Sequence, residues 1–500
     1  MHGVFGSSLA IEAVRKGLAG RDLEIETPMG RKPMLYADYT ASGRALAQVD
    51  AQIAQLEALY ANPHTEDSLT GRQSGRWMRE AVRTIKACVN ASDEDVLIAT
   101  GSGATAAIHK LQEILGLALA PATAERLGAP RLDQAPVIFV GPYEHHSNEL
   151  SWRESLAEVV CIPLNETGGI DLDYLAARLK DPAFEGREKI GAFSAASNVT
   201  GLKTDVPALA RLLHAHGAIL CLDCAASAPY APIDMHPEND PDAAIDAVYF
   251  SPHKFIGGPG ACGVLIFNPD LYRTHLPPTQ SAGGTVKYVW KDGHDFIEDI
   301  EARERAGTPG VPQIVRAALA MKLQAEIGFD LIEEREQAAL RGAFSQWLAH
   351  PKIEVLGPID PESRLGIVSF NILGRDGERL HPRLLTVLLN DHFGIQSRAG
   401  CSCAGPYGHD LLGIDDDATQ SIRRSVLSGQ AGDRPGWCRV SLHWVMSEEE
   451  VQRLIRAVLH LADYAETLMQ DYDYEPCTGM WSHKDAPAPA PAFPDQLLLS

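Results

Sequence analysis

Four short stretches of this sequence carry side chains whose types and spacing could do chemistry together. Ser251-Pro252-His253-Lys254 follows the apolar run AVYFS and precedes the glycine-rich FIGGPGACG. A lysine that forms a Schiff base with an aldehyde must be partly desolvated, which lowers its amine pKa. A buried strand end among small residues meets that need, while a surface loop lysine is the plain alternative for Lys254 taken alone. Asp223 closes the run AILCLD upstream of the lysine. An acid there can keep a ring nitrogen protonated, or it can serve as a helix cap or a structural ion pair. Thr100-Gly101-Ser102-Gly103-Ala104-Thr105 stands between a strand-like run and a helical pattern. Small residues at such a turn let backbone N–H groups and hydroxyls approach a phosphate. Glu144-His145-His146-Ser147-Asn148 follows PVIFVG, and a histidine at a strand end can stack on a flat heterocycle. The rival reading is a metal pair, but adjacent histidines on an extended segment point to opposite sides.

A fifth stretch carries sulfur. Arg398-Ala399-Gly400-Cys401-Ser402-Cys403-Ala404 offers two thiols close to an arginine. A nucleophilic cysteine needs an exposed thiol on a flexible loop, ionised by positive charge or a base. Gly400, Gly405 and Gly408 supply flexibility, and Arg398 and His409 supply charge. A CxC metal half-site is the competing reading, although no second cysteine pair is near in sequence. Cys221 and Cys224 form CxxC around Asp223 on a buried strand, which reads as structural.

These residues need a frame. From about residue 95 short apolar runs alternate with helical patterns: 96–100, 136–141, 158–163, 190–197, 218–223, 247–251 and 263–267. The runs are apolar without alternation, as in strands covered on both faces. The expected fold is α/β with a mainly parallel sheet flanked by helices, whose ligands sit at the strand ends. Helices are expected at 46–62 and 77–89, and a long one at 311–349. Two strands (366–372, 438–444) and helices at 382–390 and 447–468 make a smaller α+β domain. The expected division is an N-terminal segment 1–45 packing with the small domain, a large domain 46–325, a small domain 326–480, and a flexible Pro/Ala-rich tail 481–500.

Bulk properties narrow the function classes. The chain has 500 residues and a formal net charge of −22, from 66 acidic against 44 basic residues, which disfavours nucleic acid or anionic membrane as the main partner. No basic n-region with a long apolar core opens the chain, and no run reaches the length of a membrane span. Nine cysteines are an odd number, too sparse for a disulfide scaffold, and suit a reducing cytoplasm. The expectation is a soluble cytoplasmic protein with no metal ligand set.

In order along the chain, YADYTASG, ANPH, GSGAT, EHHSN, SNVTG, DCAAS, SPHK, GGTV, AGTP, RAGCSC and CRVSLHW resemble the class V aminotransferase-fold enzymes that use pyridoxal 5′-phosphate (PLP). The resemblance is to the cysteine desulfurase and selenocysteine lyase group, and runs from about Tyr36 to about Leu468. It implies the type I PLP fold and roles at matching positions. Lys254 would be the Schiff-base lysine, with Asp223 on the pyridinium and His145 stacked on the ring. Gly103, Ala104, Thr105, Ser251 and His253 would hold the phosphate. Asn198 would sit near the ring hydroxyl and the substrate carboxylate, and Arg439 would clamp that carboxylate with Arg398 nearby. Thr308, or less well Thr285, would reach the phosphate of a second subunit, which implies a homodimer with shared sites. In one branch of the family the nucleophilic cysteine sits five residues after the arginine, which favours Cys403; Cys401 remains open as nucleophile, resolving thiol or bystander. The implied reaction moves sulfur from L-cysteine to that cysteine as a persulfide, releases alanine, and hands the sulfur to an acceptor protein or small molecule.

One position departs from the pattern. Many desulfurases carry glutamine three residues after the pyridinium aspartate, where this chain has Ala226. That keeps open a β-lyase acting on cystine-like or selenocysteine substrates, an epimerase or an aminotransferase. The stretches DCAAS, ANPHTEDSLTG, GGTV and RAGCSC, and the long gap from Cys403 to Arg439, also resemble the N-terminal desulfurase domain of molybdenum cofactor sulfurases. The C-terminal domain of those proteins has no counterpart in these residues, so the expectation is a stand-alone relative.

Overall fold

A computed structural model describes residues 4–130 and 132–486. All seven apolar runs are strands of one sheet, in the order Val96–Thr100, Gly263–Phe267, Ala247–Phe250, Ile219–Asp223, Lys189–Ser194, Val137–Val140, Glu158–Cys161. Every residue of Val137–Val140, Ala247–Phe250 and Gly263–Phe267 is buried, because helices cover both faces. Gly263–Phe267 runs antiparallel to both neighbours, and every other neighbouring pair is parallel. The reason is local: the FIGGPGACG stretch holds no crossover helix, so the chain turns straight back. That return leaves Lys254 in a tight turn at the end of the sheet.

A second, antiparallel sheet has the order Ile353–Val355, Ile367–Ile372, Trp437–Ser441, Arg398–Gly400. Helices Pro382–Phe393 and Glu448–Leu468 bury Leu384, Leu388, Leu454, Val458 and Leu461 in the core on this sheet. The start of Glu448–Leu468 follows from a capping box, in which Ser447 and Glu450 satisfy each other's backbone N–H groups. Ile11 and Val14 join the same core, and Leu35–Tyr36 pairs in parallel with Ile395–Gln396.

Helix boundaries depart from the sequence periodicity where glycine intervenes. The helix expected over 311–349 is two, Val311–Ile327 and Phe329–Trp347, because Gly328 adopts φ 90°. The helix expected from residue 77 starts earlier, as Leu69–Cys88, capped by Ser68. Its Gly71 is a close-approach site, since a Cβ there would lie 2.0 Å from the Thr65 carbonyl oxygen. Past residue 468 the strands Tyr472–Glu475 and Met480–His483 form a hairpin whose tip carbonyls, Pro476 and Cys477, accept from the Gly432 and Ala431 amides. The tail expected over 481–500 therefore begins within this hairpin, and residues 487–500 lie outside the described part. No described helix is long and apolar enough to cross a membrane.

Candidate active site

At the carboxyl ends of the parallel strands lies a cavity of about 200 Å³, bordered on the far side by Arg398 and Arg439 of the second sheet. Lys254 lines it from the one-turn helix Pro252–Lys254 that ends strand Ala247–Phe250. Burial pushes its amine down to about 8; Arg439 and Arg398 add to this and Asp223 opposes it. Asp223 ends its own strand at 4 % exposure and accepts from the Ala225 N–H at 2.8 Å. Burial raises its carboxyl to about 6 against that hydrogen bond and Lys254.

The next wall is the start of helix Gly103–Ile114, whose N-cap Ser102 makes no side-chain cap. Ala104 N–H donates to Ser251 Oγ at 2.8 Å. Gly103 has φ 71°, and a Cβ on it would stand 2.8 Å from Ser251 Oγ and 3.4 Å from His253 Nε2. Only glycine lets the backbone come so close, so this is a cradle suited to an anion at a helix N-terminus. Thr105 and Ser147 hydroxyls meet there at 2.6 Å.

His145 caps helix His146–Arg153, its Nδ1 accepting from the Ser147 N–H at 3.1 Å. Burial, helped by Lys254, His146, Arg398 and Arg439, pushes its imidazole down to about 3. The ring is therefore neutral, with its proton on Nε2. His146 faces elsewhere, its Nε2 accepting from the Gly405 N–H at 3.0 Å. Among the described residues no three His, Cys, Asp or Glu side chains group as a metal site.

The second sheet contributes two guanidiniums, from Arg398 and Arg439. Arg439 donates to the Asn198 carbonyl at 3.0 Å and to Asp38 Oδ1 at 3.1 Å, and its buried Nε has no protein partner. Asn198 Nδ2 donates to the Ser402 carbonyl at 2.7 Å, and its buried Oδ1 is likewise unpartnered. Buried polar atoms are normally satisfied, so an orphaned donor and an orphaned acceptor on two residues lining one cavity fit a guest that carries both an anionic group and a hydroxyl or N–H donor.

The two thiols differ in surroundings. Cys403 Sγ lies 3.9 Å from Arg398 Nη2, whereas Cys401 packs against the core of the large sheet. Ser402 and Cys403 are both left-handed, at φ 51° and 59°. Of the glycines expected to loosen this loop, Gly405 and Gly408 belong to helix Gly405–Leu412, and Gly408 lies under Trp437. Cys221 and Cys224 project into cores on opposite faces of the sheet, and burial pushes both thiols up.

Thr308 and Thr285 do not line this cavity. Thr285 is buried and donates to the Ala282 carbonyl, and Thr308 Oγ1 accepts from Asn62. Sequence reasoning missed Asp38, Thr40, Glu144 and Ser194. The first two stand in YADYTASG, whose matching text was the available signal. Glu144 is buried, accepts from Ser194 N–H and Oγ and from Asn148, and is raised by burial to about 7. Ala226, the departure from the resembled pattern, lines the cavity.

The Aminotransferase class-V family profile matches residues 35–454. A probable cysteine desulfurase of Staphylococcus epidermidis is 28% identical over 403 residues, covering 80% of this chain and 89% of that protein. One from Staphylococcus aureus is 28% identical over 387 residues, covering 76% and 86%. The apo cysteine desulfurase of Thermococcus onnurineus NA1 shares the fold with a TM-score of 0.71 at 24% identity, covering 90% of this chain and 98% of that one. The Escherichia coli cysteine desulfurase CsdA gives 0.65 at 24% identity, over 87% and 94%.

Proposed function

Because this chain belongs to the class V aminotransferase family, we propose that it is a PLP-dependent cysteine desulfurase, taking sulfur from L-cysteine onto Cys403 and releasing alanine. The observation that carries the reading is Arg398, whose guanidinium lines the Lys254 cavity and stands 3.9 Å from Cys403 Sγ.

The glycine-built cradle and the orphaned Asn198 Oδ1 and Arg439 Nε fit PLP and an amino acid. Bound there, PLP supplies an aldehyde for the amines and an electron sink at the substrate α-carbon. Lys254 would hold the cofactor covalently and, as the freed amine, would take and return the proton at the substrate α-carbon. Asp223 would keep the ring nitrogen protonated, and neutral His145 would lie against the ring. The Gly103–Thr105 backbone and side chains, with Ser251 and His253, hold the phosphate. Arg439 and Arg398 orient the carboxylate, and Asn198 Oδ1 accepts from the ring hydroxyl or the substrate. The Cys403 thiolate attacks the substrate sulfur; an S–S bond forms, the carbon–sulfur bond breaks, and the electron pair left on carbon takes a proton to give alanine. The working form is a homodimer in the cytoplasm, with Thr308, rather than the fully buried Thr285, reaching the other subunit's phosphate, and the persulfide passes to an acceptor protein or small molecule.

Ala226 favours a second reading, a β-lyase, because no glutamine amide bonds the ring oxygen. Incubation of the PLP-loaded protein with L-cysteine and a reductant separates the two. Alanine and sulfide in equal amounts are expected. Pyruvate and ammonia in place of alanine would replace the first reading with the second.

A further inference from the structure

One residue fastens the chain at two points directly after the Cys403 thiol. The His146 N–H donates to the Cys403 carbonyl at 2.8 Å, and the Gly405 N–H donates to His146 Nε2 at 3.0 Å. Immediately before these anchors the backbone is strained, since Ser402 and Cys403 are consecutive non-glycine residues with φ of 51° and 59°. Side chains disfavour that region, so such a turn persists only where its surroundings hold it. Asn198 and Trp437 hold Ser402, through its carbonyl and its hydroxyl. His146 holds the Cys403 backbone, while Arg398 meets its thiol. Gly405 makes the approach feasible, because a Cβ there would stand only 3.2 Å from Nε2. The neighbour of His146 in sequence, His145, lines the cavity, so the same short segment fixes both the cavity wall and the sulfur-bearing turn.

We propose that His146 is a positioning residue for the Cys403 thiol, its backbone N–H and ring Nε2 together holding the Ser402–Cys403 turn so that Sγ stays beside Arg398. The catalytic consequence rests on the desulfurase reading; the placement of the thiol does not. His146→Gln puts an amide oxygen about where Nε2 stands and can accept from Gly405, whereas the shorter His146→Asn amide stops near the Nδ1 position and cannot.

The test compares PLP-loaded wild type with these two variants. Alkylation of Cys403 by iodoacetamide, followed peptide by peptide, is expected to match wild type in His146→Gln and to be several-fold faster in His146→Asn. Alanine formation is expected to keep its KM for L-cysteine in both, while kcat falls roughly ten- to a hundredfold in His146→Asn alone, the scale of a misplaced reacting group. Equal alkylation in all three proteins overturns the clamp even where wild type makes alanine. A wild type that makes no alanine sinks the desulfurase reading and leaves the alkylation comparison to decide the clamp. Should a variant not fold, amide exchange in the wild-type holoenzyme decides: slow exchange at both His146 and Gly405 is expected, and fast exchange at both overturns the proposal.

Discussion

Arg398 and Arg439 stand directly opposite each other in the antiparallel pairing of Arg398–Gly400 with Trp437–Ser441, and both line the cavity that holds Lys254. Like charges directly opposite on a sheet repel. Asp38, 3.1 Å from Arg439, offsets one of them, and the remaining positive charge faces the cavity. An anion is what such a pair is built to receive. Arg439→Gln is expected to raise KM for L-cysteine and to lower kcat/KM by at least about 2 kcal/mol, near thirtyfold, as for truncation of a buried, hydrogen-bonded charge. An unchanged KM in steady-state kinetics would remove Arg439 from the carboxylate site.

Lys254 yields a pH prediction. Only the neutral amine attacks an aldehyde, and its pKa is lowered from 10.5 to about 8. Covalent capture of PLP by the apoprotein, read from the visible absorbance, should therefore rise as pH increases through about 8. A midpoint near 10.5 would mean the amine is not desolvated. Lys254→Ala should show neither that absorbance nor turnover.

The thiols are separable because their surroundings differ. Cys403→Ser is expected to reduce alanine release to background, and Cys401→Ser to keep most of it, since Cys401 packs into the core rather than beside Arg398. Reversed outcomes in a single-turnover alanine assay would move the nucleophile to Cys401.

Glu144 gives a stability prediction. Its carboxyl is raised from 4.5 to about 7 in the fold, so between those pH values the folded state binds more protons than the unfolded one. The contribution is fully present below pH 4.5 and is lost as pH rises through about 7, at most about 3 kcal/mol. Glu144→Gln cannot titrate. Denaturant unfolding should show the variant gaining on wild type between pH 5 and pH 8; a difference constant with pH would refute the shift.

Much of this was legible in the residues. The inner strands announced themselves because burial on both faces makes a run such as VIFV apolar throughout, and its shortness between turn residues separates it from a buried helix, whereas the edge strand Glu158–Cys161 is exposed at both ends. Lys254, Asp223, His145 and Ser251 were visible for a related reason: polar residues at the ends of such runs fall at the carboxyl ends of the strands, where the sheet stops and a cavity can form. What periodicity could not show was direction and interruption. Nothing in GVLIF says it runs antiparallel, because that is set by the loop before it. Gly328 and Gly71 looked alike as text, yet one splits a helix and the other lies inside one. Asp38 and Glu144 escaped because their partners, Arg439 and Ser194, are distant in sequence.

The break at Gly328 has a mechanical consequence. No atom lies within 4 Å of where its Cβ would be, so the interruption is a choice of backbone torsion and not of packing. The helix before it packs on the core of the large sheet and the helix after it on the core of the small one. The second helix has 19 residues, a lever of about 28 Å at 1.5 Å per residue. A turn of about 5° at this one joint would move its far end by roughly 2.5 Å. Asn198 rides on one side of the joint and Arg439 on the other, tied by the 3.0 Å hydrogen bond between them, so a rotation at this one glycine would have to break a bond at the wall of the cavity.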